Sequence, residues 1–285
     1  MTLTDPRTTP ARPDLAADFL AGTVSAARYV PARERRVVAA SAPLRREPRP
    51  DAPLDTEALA GEAVRVFEEE EEGWAWGQLA SDGYVGYLPV STLGPPEPAP
   101  THRVAVLRTF IYPGPSIKLP PVSALSLMAG VAVASVEGDF ARLADGSAVF
   151  ARHLAIVDHA LADDFVSVAE RFVGVPYLWG GKTSLGIDCS GLVQLALSAA
   201  GIEAPRDSDM QERALGTPLP ITEEFKGLRR GDLVFWKGHV GIMVDGANLL
   251  HANGHHMATV IEPLAVAAAR IDAAGAGPVT SIKRL

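Results

Sequence analysis

Cys189, His239 and His251 have the types and settings that nucleophilic catalysis requires. Cys189 is the sole cysteine, so it has no disulfide partner within the chain. It follows Gly186-Ile187-Asp188 and precedes a run, residues 192–200, that is apolar almost all round. That pattern predicts a buried helix with the sulfur at its start and Gly201 at its end. Unpaired N–H groups give a helix N-terminus partial positive charge, which is expected to favour a thiolate there and lower its pKa. A nearby backbone N–H can also hold an oxyanion. Plain packing would account for a lone cysteine in an apolar helix equally well. The histidines tip the balance.

Thiolate formation needs a base within hydrogen-bond reach, and the base needs a group to orient its far nitrogen. His239 precedes the strand-like run 240–244, and His251 sits in the next run, 248–252. Strand side chains alternate in direction, so the loop between the runs decides whether both imidazoles face one side. A two-residue loop at Asp245-Gly246 would pair residue 240 with 251 and put His239 on the wrong face. An odd loop keeps the two together. A three-residue loop, Val244-Asp245-Gly246 with Gly246 left-handed, would set His239 directly opposite His251.

The elements around these residues follow from periodicity. Phe165, Val168, Ala169 and Phe172 fall at helical spacing, with Asp163 or Asp164 as cap and Gly174-Val175-Pro176 as the stop. Strand-like runs follow at 233–236, 240–244, 248–252, 259–261 and 279–282. Helices followed by an antiparallel sheet describe an α+β domain. His255 and His256 invite a metal reading, but adjacent strand residues diverge and no second cysteine or acid pair completes a ligand set; no metal or other cofactor is expected.

The preceding half reads as β structure. Residues 1–36 form an expected arm with a short helical pattern at 15–21. Strand-like runs at 37–40, 63–67, 74–79 and 84–88, separated by turns such as Ser81-Asp82-Gly83, predict a small barrel. The acidic run 68–72 reads as a solvated turn between strands. Prolines in residues 94–100 predict a stiff linker. A second β unit, 102–157, echoes the first in order: Gly130-Val131-Ala132-Val133 matches Gly61-Glu62-Ala63-Val64, and Gly146-Ser147-Ala148-Val149 matches Asp82-Gly83-Tyr84-Val85.

Bulk properties narrow the classes. A chain of 285 residues suits two or three domains, and 47% hydrophobic with 21% charged residues is ordinary for a soluble protein. The net charge of −8 argues against nucleic-acid binding. No apolar stretch approaches the roughly 20 residues a membrane span needs, the nearest being 125–136. The N-terminus lacks the basic start and apolar run of an export signal, so a cytoplasmic location is expected. A lone thiol also suits a reducing compartment.

Pro176-Tyr177-Leu178-Trp179-Gly180-Gly181, Asp188-Cys189-Ser190-Gly191-Leu192-Val193, Gly231-Asp232-Leu233-Val234-Phe235-Trp236, Gly238-His239-Val240-Gly241-Ile242 and His251-Ala252, in this order, resemble the NlpC family of papain-like cysteine peptidases. The β units resemble bacterial SH3 (SH3b) domains. The resemblance implies an arm at 1–36, SH3b domains at 37–94 and 101–157, and a catalytic domain at 160–285. It implies Cys189 as nucleophile, His239 as base, His251 as its orienting partner and Tyr177 beside the oxyanion. It also implies that Asp188, Ser190, Asp207 and Ser208 line the substrate groove, Asp207 facing a substrate amine; Ser208 and Gln211 have capping-box spacing as well. Tandem SH3b units ahead of an NlpC domain resemble γ-D-glutamyl-L-diamino acid endopeptidases that recycle murein peptides, with L-Ala-γ-D-Glu-diamino acid as substrate. In that subgroup the first SH3b domain reads the free alanine, and Tyr84 is the candidate contact. Two rivals remain: a hydrolase of intact wall anchored by its SH3b units, and a wall-peptide binder without activity.

Overall fold

The computed structural model describes residues 5–222 and 224–285. Residues 1–4, where the expected arm begins and an export signal was sought, lie outside the described residues, as does Glu223. The division into two compact units falls between Val157 and Asp158.

In the first unit, seven antiparallel strands lie in the spatial order Leu54–Leu59, Ser41–Arg45, Val85–Pro89, Trp74–Leu79, Ala63–Glu69, Arg33–Val37 and Leu93–Gly94. Period-two alternation drives this packing: Val64 and Val66 are fully buried while Arg65 between them is exposed. They join Leu44, Ala75, Leu79 and Leu88 in one core cluster. The strand expected at 37–40 is instead Arg33–Val37, so the sheet begins inside the segment read as an arm.

The rest of that segment packs on the sheet too. Leu15 and Ala17 meet Phe67 and Trp76, and Ala16–Ala17 pairs in parallel with Tyr29–Val30. The helix expected over 15–21 is reduced to one 3-10 turn, Asp18–Leu20, with no side-chain cap. A helix this short has no means of offsetting its nucleation cost, whereas strand pairing satisfies the same backbone. The acidic run 68–72 is also not simply a turn. Glu68 and Glu69 are strand residues: Glu68 is paired with Arg12 and Arg28, and Glu69 with Arg35 at 2.8 Å.

Beyond the proline-rich stretch, Val133–Glu137, Phe140–Leu143 and Ala148–Phe150 are followed by a 3-10 turn, Ala151–His153, and a short strand, Leu154–Ile156. In the first sheet, Ala63–Glu69, Trp74–Leu79 and Val85–Pro89 lead into a 3-10 turn, Val90–Thr92, and a short strand, Leu93–Gly94, in the same order.

Among the described residues the second unit has four α-helices: α1 (Phe165–Glu170), α2 (Cys189–Ala199), α3 (Ser208–Ala214) and α4 (Leu264–Ile271). Its six-stranded antiparallel sheet has the order Thr217–Leu219, Ser281–Arg284, Leu233–Trp236, His239–Met243, Asn248–Asn253 and Ala258–Pro263. Asp164 caps α1 by accepting from Val166 N at 3.0 Å. Helix α2 is buried along nearly its whole length and lies against the two adjacent strands that carry His239 and His251. None of the described helices is long and apolar enough to cross a membrane.

Candidate active site

Cys189 is the first residue of α2, where the glycine-rich loop expected from the sequence ends. Asp188 caps the helix, its Oδ1 accepting from Gly191 N at 2.7 Å, while its Oδ2 accepts from Gly180 N at 2.9 Å. The loop and the first turn of α2 are thereby tied to one carboxylate. Gly191 is required by crowding: a Cβ there would lie 2.5 Å from the carbonyl oxygen of Gly181. Arg206, 1% exposed, donates to both Asp188 oxygens (3.0 and 2.7 Å) and to Ser190 Oγ at 2.9 Å.

The histidines arrive from the sheet. Ile242 pairs with Leu250 and Met243 with Leu249, so five residues, 244–248, separate the last paired positions of the hairpin. The loop is odd, and His239 and His251 do share a face. It is two residues longer than expected, so His239 is diagonal to His251 rather than opposite it. The cause is Asp245, whose Oδ1 accepts from Ala247 N (2.7 Å) and Asn248 N (2.8 Å), closing a wider turn that needs no left-handed Gly246. His239 Nε2 lies 2.8 Å from His251 Nδ1, and His251 Nε2 lies 2.8 Å from Glu262 Oε1. His251 is wholly buried. Glu262 stands near the end of the neighbouring strand and is paired with Arg270 of α4.

Burial governs the charges here. It pushes the Cys189 thiol up to about 12, aided by the nearby Asp188 carboxylate and opposed by the N–H groups of Val240 and Ser190 and by Arg206. The lowered thiol pKa expected at a helix N-terminus is therefore overcome by desolvation. Burial likewise pushes His239 down to about 3, with His251 and Arg270 adding to the effect. Neither group favours charge alone, so the resting pair is neutral thiol and neutral imidazole. A proton passing from such a thiol to such an imidazole would create two opposite charges that stabilise each other in a low-dielectric site. Val240 N–H is directed at the sulfur, which sets Cys189 at the start of the His239 strand. A thiol with backbone donors near it, at the start of the strand that carries an imidazole, has the groups that attack on a carbonyl carbon requires.

The remaining expected residues divide. Tyr177 is half-buried, and its phenol is raised by burial and by the negative charge of Cys189 and Asp188. Asp188 and Ser190, expected in a substrate groove, are instead buried in the Arg206 network. Asp207 is the half-buried residue preceding α3, and Ser208 opens that helix. No capping box forms: Gln211 Nε2 donates to Ser190 O (2.9 Å) and Pro205 O (2.8 Å), bracing the α2 start instead. Tyr84, expected at the substrate alanine, is 4% exposed inside the core of the first sheet. The ring is a packing residue of that sheet, not an exposed contact. The His255 and His256 rings meet edge to face, 4.8 Å between centroids, and among the described residues no cluster of three potential ligands could hold a metal.

Sequence reasoning missed Arg206, Glu262, Arg270 and α4. The helix had a signal: Leu264, Ala267, Ala268 and Ile271 fall at helical spacing. The charged residues had none, because their roles depend on partners distant in sequence.

Residues 174–267 match the NlpC/P60 family, and residues 44–93 match the bacterial dipeptidyl-peptidase Sh3 domain. The gamma-D-glutamyl-L-lysine dipeptidyl-peptidase of Bacillus subtilis (strain 168) is 30% identical over 225 residues, covering 70% of this chain and 72% of that protein. The chain belongs to the NlpC/P60 family. This NlpC/P60 protein is also 28% identical over 247 residues to dipeptidyl-peptidase 6 of Lysinibacillus sphaericus, covering 76% of this chain and 86% of that one. The crystal structure of an NlpC/P60 family protein from Bacillus cereus has the same fold, with a TM-score of 0.69 at 21% identity, covering 88% of this chain and 99% of that one. The protein is thus a cysteine peptidase, with a papain-like NlpC/P60 fold and a bacterial SH3 domain.

Proposed function

We propose that this NlpC/P60 peptidase hydrolyses the γ-D-Glu–diamino acid bond of free murein peptides that carry an unblocked N-terminal L-Ala. The observation that carries the reading is that Cys189, at the head of α2, accepts from the N–H of Val240, the residue after His239, while His239 is bonded to His251, in a chain related over most of its length to γ-D-glutamyl-L-lysine dipeptidyl-peptidase. Cys189 is the nucleophile. His239 takes its proton and later delivers it to the leaving amine, and His251 orients His239. Attack forms a tetrahedral intermediate whose oxyanion meets the Cys189 backbone N–H and Tyr177. Collapse gives a thioester on Cys189, which water hydrolyses.

In this reading the chain is an α+β catalytic domain, 160–285, behind an arm and two SH3b domains. The element order shared by the two β units supports the second copy. Murein peptide recycling in the cytoplasm is the setting, and a lone thiol is suited to that reducing compartment. Asp207 is retained as a partner for the substrate ammonium. An ammonium buried without its carboxylates costs several kcal/mol.

The test compares free and N-acetylated L-Ala-γ-D-Glu-diamino acid tripeptides as substrates of the full chain, with products followed by mass spectrometry. Acetylation removes the charge and adds bulk, so kcat/KM falls at least about a hundredfold, or about 2.7 kcal/mol. Equal cleavage of the two peptides, or release of peptide from insoluble sacculi at the same rate, would sink this reading in favour of a wall hydrolase.

A further inference from the structure

His251 is wholly buried, and each of its ring nitrogens has a partner. Nδ1 lies 2.8 Å from His239 Nε2, and Nε2 lies 2.8 Å from Glu262 Oε1. An ionised carboxylate only accepts hydrogen bonds. His251 Nε2 therefore carries the proton, and in the neutral ring Nδ1 is left with its lone pair. That lone pair accepts from His239, whose Nε2 must then be the protonated nitrogen. The consequence is a lone pair on His239 Nδ1, the nitrogen left free for the thiol proton. One carboxylate thus determines the tautomer of two imidazoles in series.

Glu262 is well placed for this. His251 pairs across the sheet with Val260, so Glu262, two residues on, projects from the same face. Arg270 of α4 holds the same oxygen, Oε1. Among the described residues, the charged and titratable groups acting on the relay from outside it are Arg270 and His256, the latter 4.0 Å from Glu262. Although burial raises the Glu262 carboxyl, its bond to His251 and the nearby positive charge outweigh that and lower it, so it is ionised at neutral pH.

We propose that Glu262, held by Arg270, is a positioning residue that keeps His239 Nδ1 unprotonated and stabilises the imidazolium formed when it takes the Cys189 proton. The inference rests on the Cys189–His239–His251 assignment above. Without Glu262, the His251 proton is free to move to Nδ1. That tautomer donates to His239 Nε2, leaving the His239 proton on Nδ1, where it blocks the base.

The experiment uses the full chain with Glu262→Gln, which keeps an acceptor oxygen but not the charge, and Glu262→Leu, which keeps neither. Three properties are read: kcat/KM on the tripeptide, the pH profile of Cys189 alkylation by iodoacetamide, and histidine tautomers by long-range ¹H–¹⁵N spectra. Expected losses in kcat/KM are about tenfold for Glu262→Gln and at least about thirtyfold for Glu262→Leu, carried by kcat rather than KM. Losing the negative charge lowers the imidazole pKa, so the acid limb of alkylation moves to lower pH by about half a unit or more in both variants. In Glu262→Leu the His251 signals leave the Nε2–H pattern. Thermal melts establish folding, and Glu262→Gln decides alone if the leucine variant unfolds. An unmoved acid limb with wild-type tautomers overturns the proposal even where activity falls, because that outcome describes a structural residue. Alkylation needs no substrate, so an error in the substrate leaves this test intact. Alkylation unchanged by His239→Ala would instead remove the triad assignment on which the proposal rests.

Discussion

Arg206→Met tests whether the buried ion pair beneath the nucleophile holds the catalytic unit together. The guanidinium is 1% exposed and the Asp188 side chain 11%. Arg206 donates to Asp188 at 3.0 and 2.7 Å, to Ser190 Oγ at 2.9 Å, and more weakly to Gly181 O at 3.4 Å. Methionine fills much of the volume but strands the carboxylate. Breaking a buried pair from one side costs about 3–5 kcal/mol. Asp188 keeps the N–H groups of Gly180 and Gly191, so the lower end, about 3 kcal/mol, is expected. At roughly 3–5 °C per kcal/mol for a unit of this size, Tm falls by about 10–15 °C. The assay is urea unfolding followed by tryptophan fluorescence, with Trp179 and Trp236 reporting from the catalytic unit. Asp188→Asn and the double variant complete a cycle. The double variant should be more stable than the sum of the single losses by at least about 1.5 kcal/mol, because it leaves no unpaired charge. Arg206→Met within about 1 kcal/mol of wild type, or additive single losses, would refute this reasoning.

Cys189→Ala abolishes turnover while melting near wild type, and Cys189→Ser retains almost nothing, since an alcohol is far harder to ionise beside the same base; residual activity within tenfold of wild type in the alanine variant rules out the mechanism. His239→Ala lowers kcat/KM far more than His251→Asn, because only the base carries the proton and an amide oxygen can orient it; equal losses would reverse the assigned roles. Burial holds His239 neutral down to about pH 3, while an imidazole in the unfolded chain protonates below about pH 6.5. Between those values the unfolded state binds the extra proton, so stability is full above pH 6.5. It falls as the pH is lowered, by at most about 1.4 kcal/mol per unit for this group. Urea titrations at pH 7, 6 and 5 should show that decline, and a slope unchanged in His239→Gln would contradict it.

The parity argument shows how far reading the sequence reaches. Alternation along a strand is a local rule, so an odd loop was enough to put His239 and His251 on one face. The actual length of that loop depends on Asp245 capping two N–H groups, and this moved the register by two residues. The expected capping box failed for a related reason. Ser208 and Gln211 have the right spacing, yet the Gln211 amide finds buried carbonyls at Ser190 and Pro205, which local spacing does not reveal. Tyr84 was a candidate through the resemblance alone, and the core of the first sheet takes up its ring.

The sequence by itself determined that a lone cysteine heads a buried helix, that a histidine hairpin follows, and that two strand-rich segments precede them. Those properties follow from periodicity, turn chemistry and motif order, which act over a few residues. Tertiary structure alone decided the charge states and their supports. Burial, which sums over many distant neighbours, raises the thiol against its helix terminus and keeps His239 neutral. Arg206 reaches Asp188 across 18 residues and Glu262 reaches His251 across 11, from separate elements brought together by the sheet and its helices. A charged side chain is defined by its partner and its solvent access, and neither exists until the chain has folded.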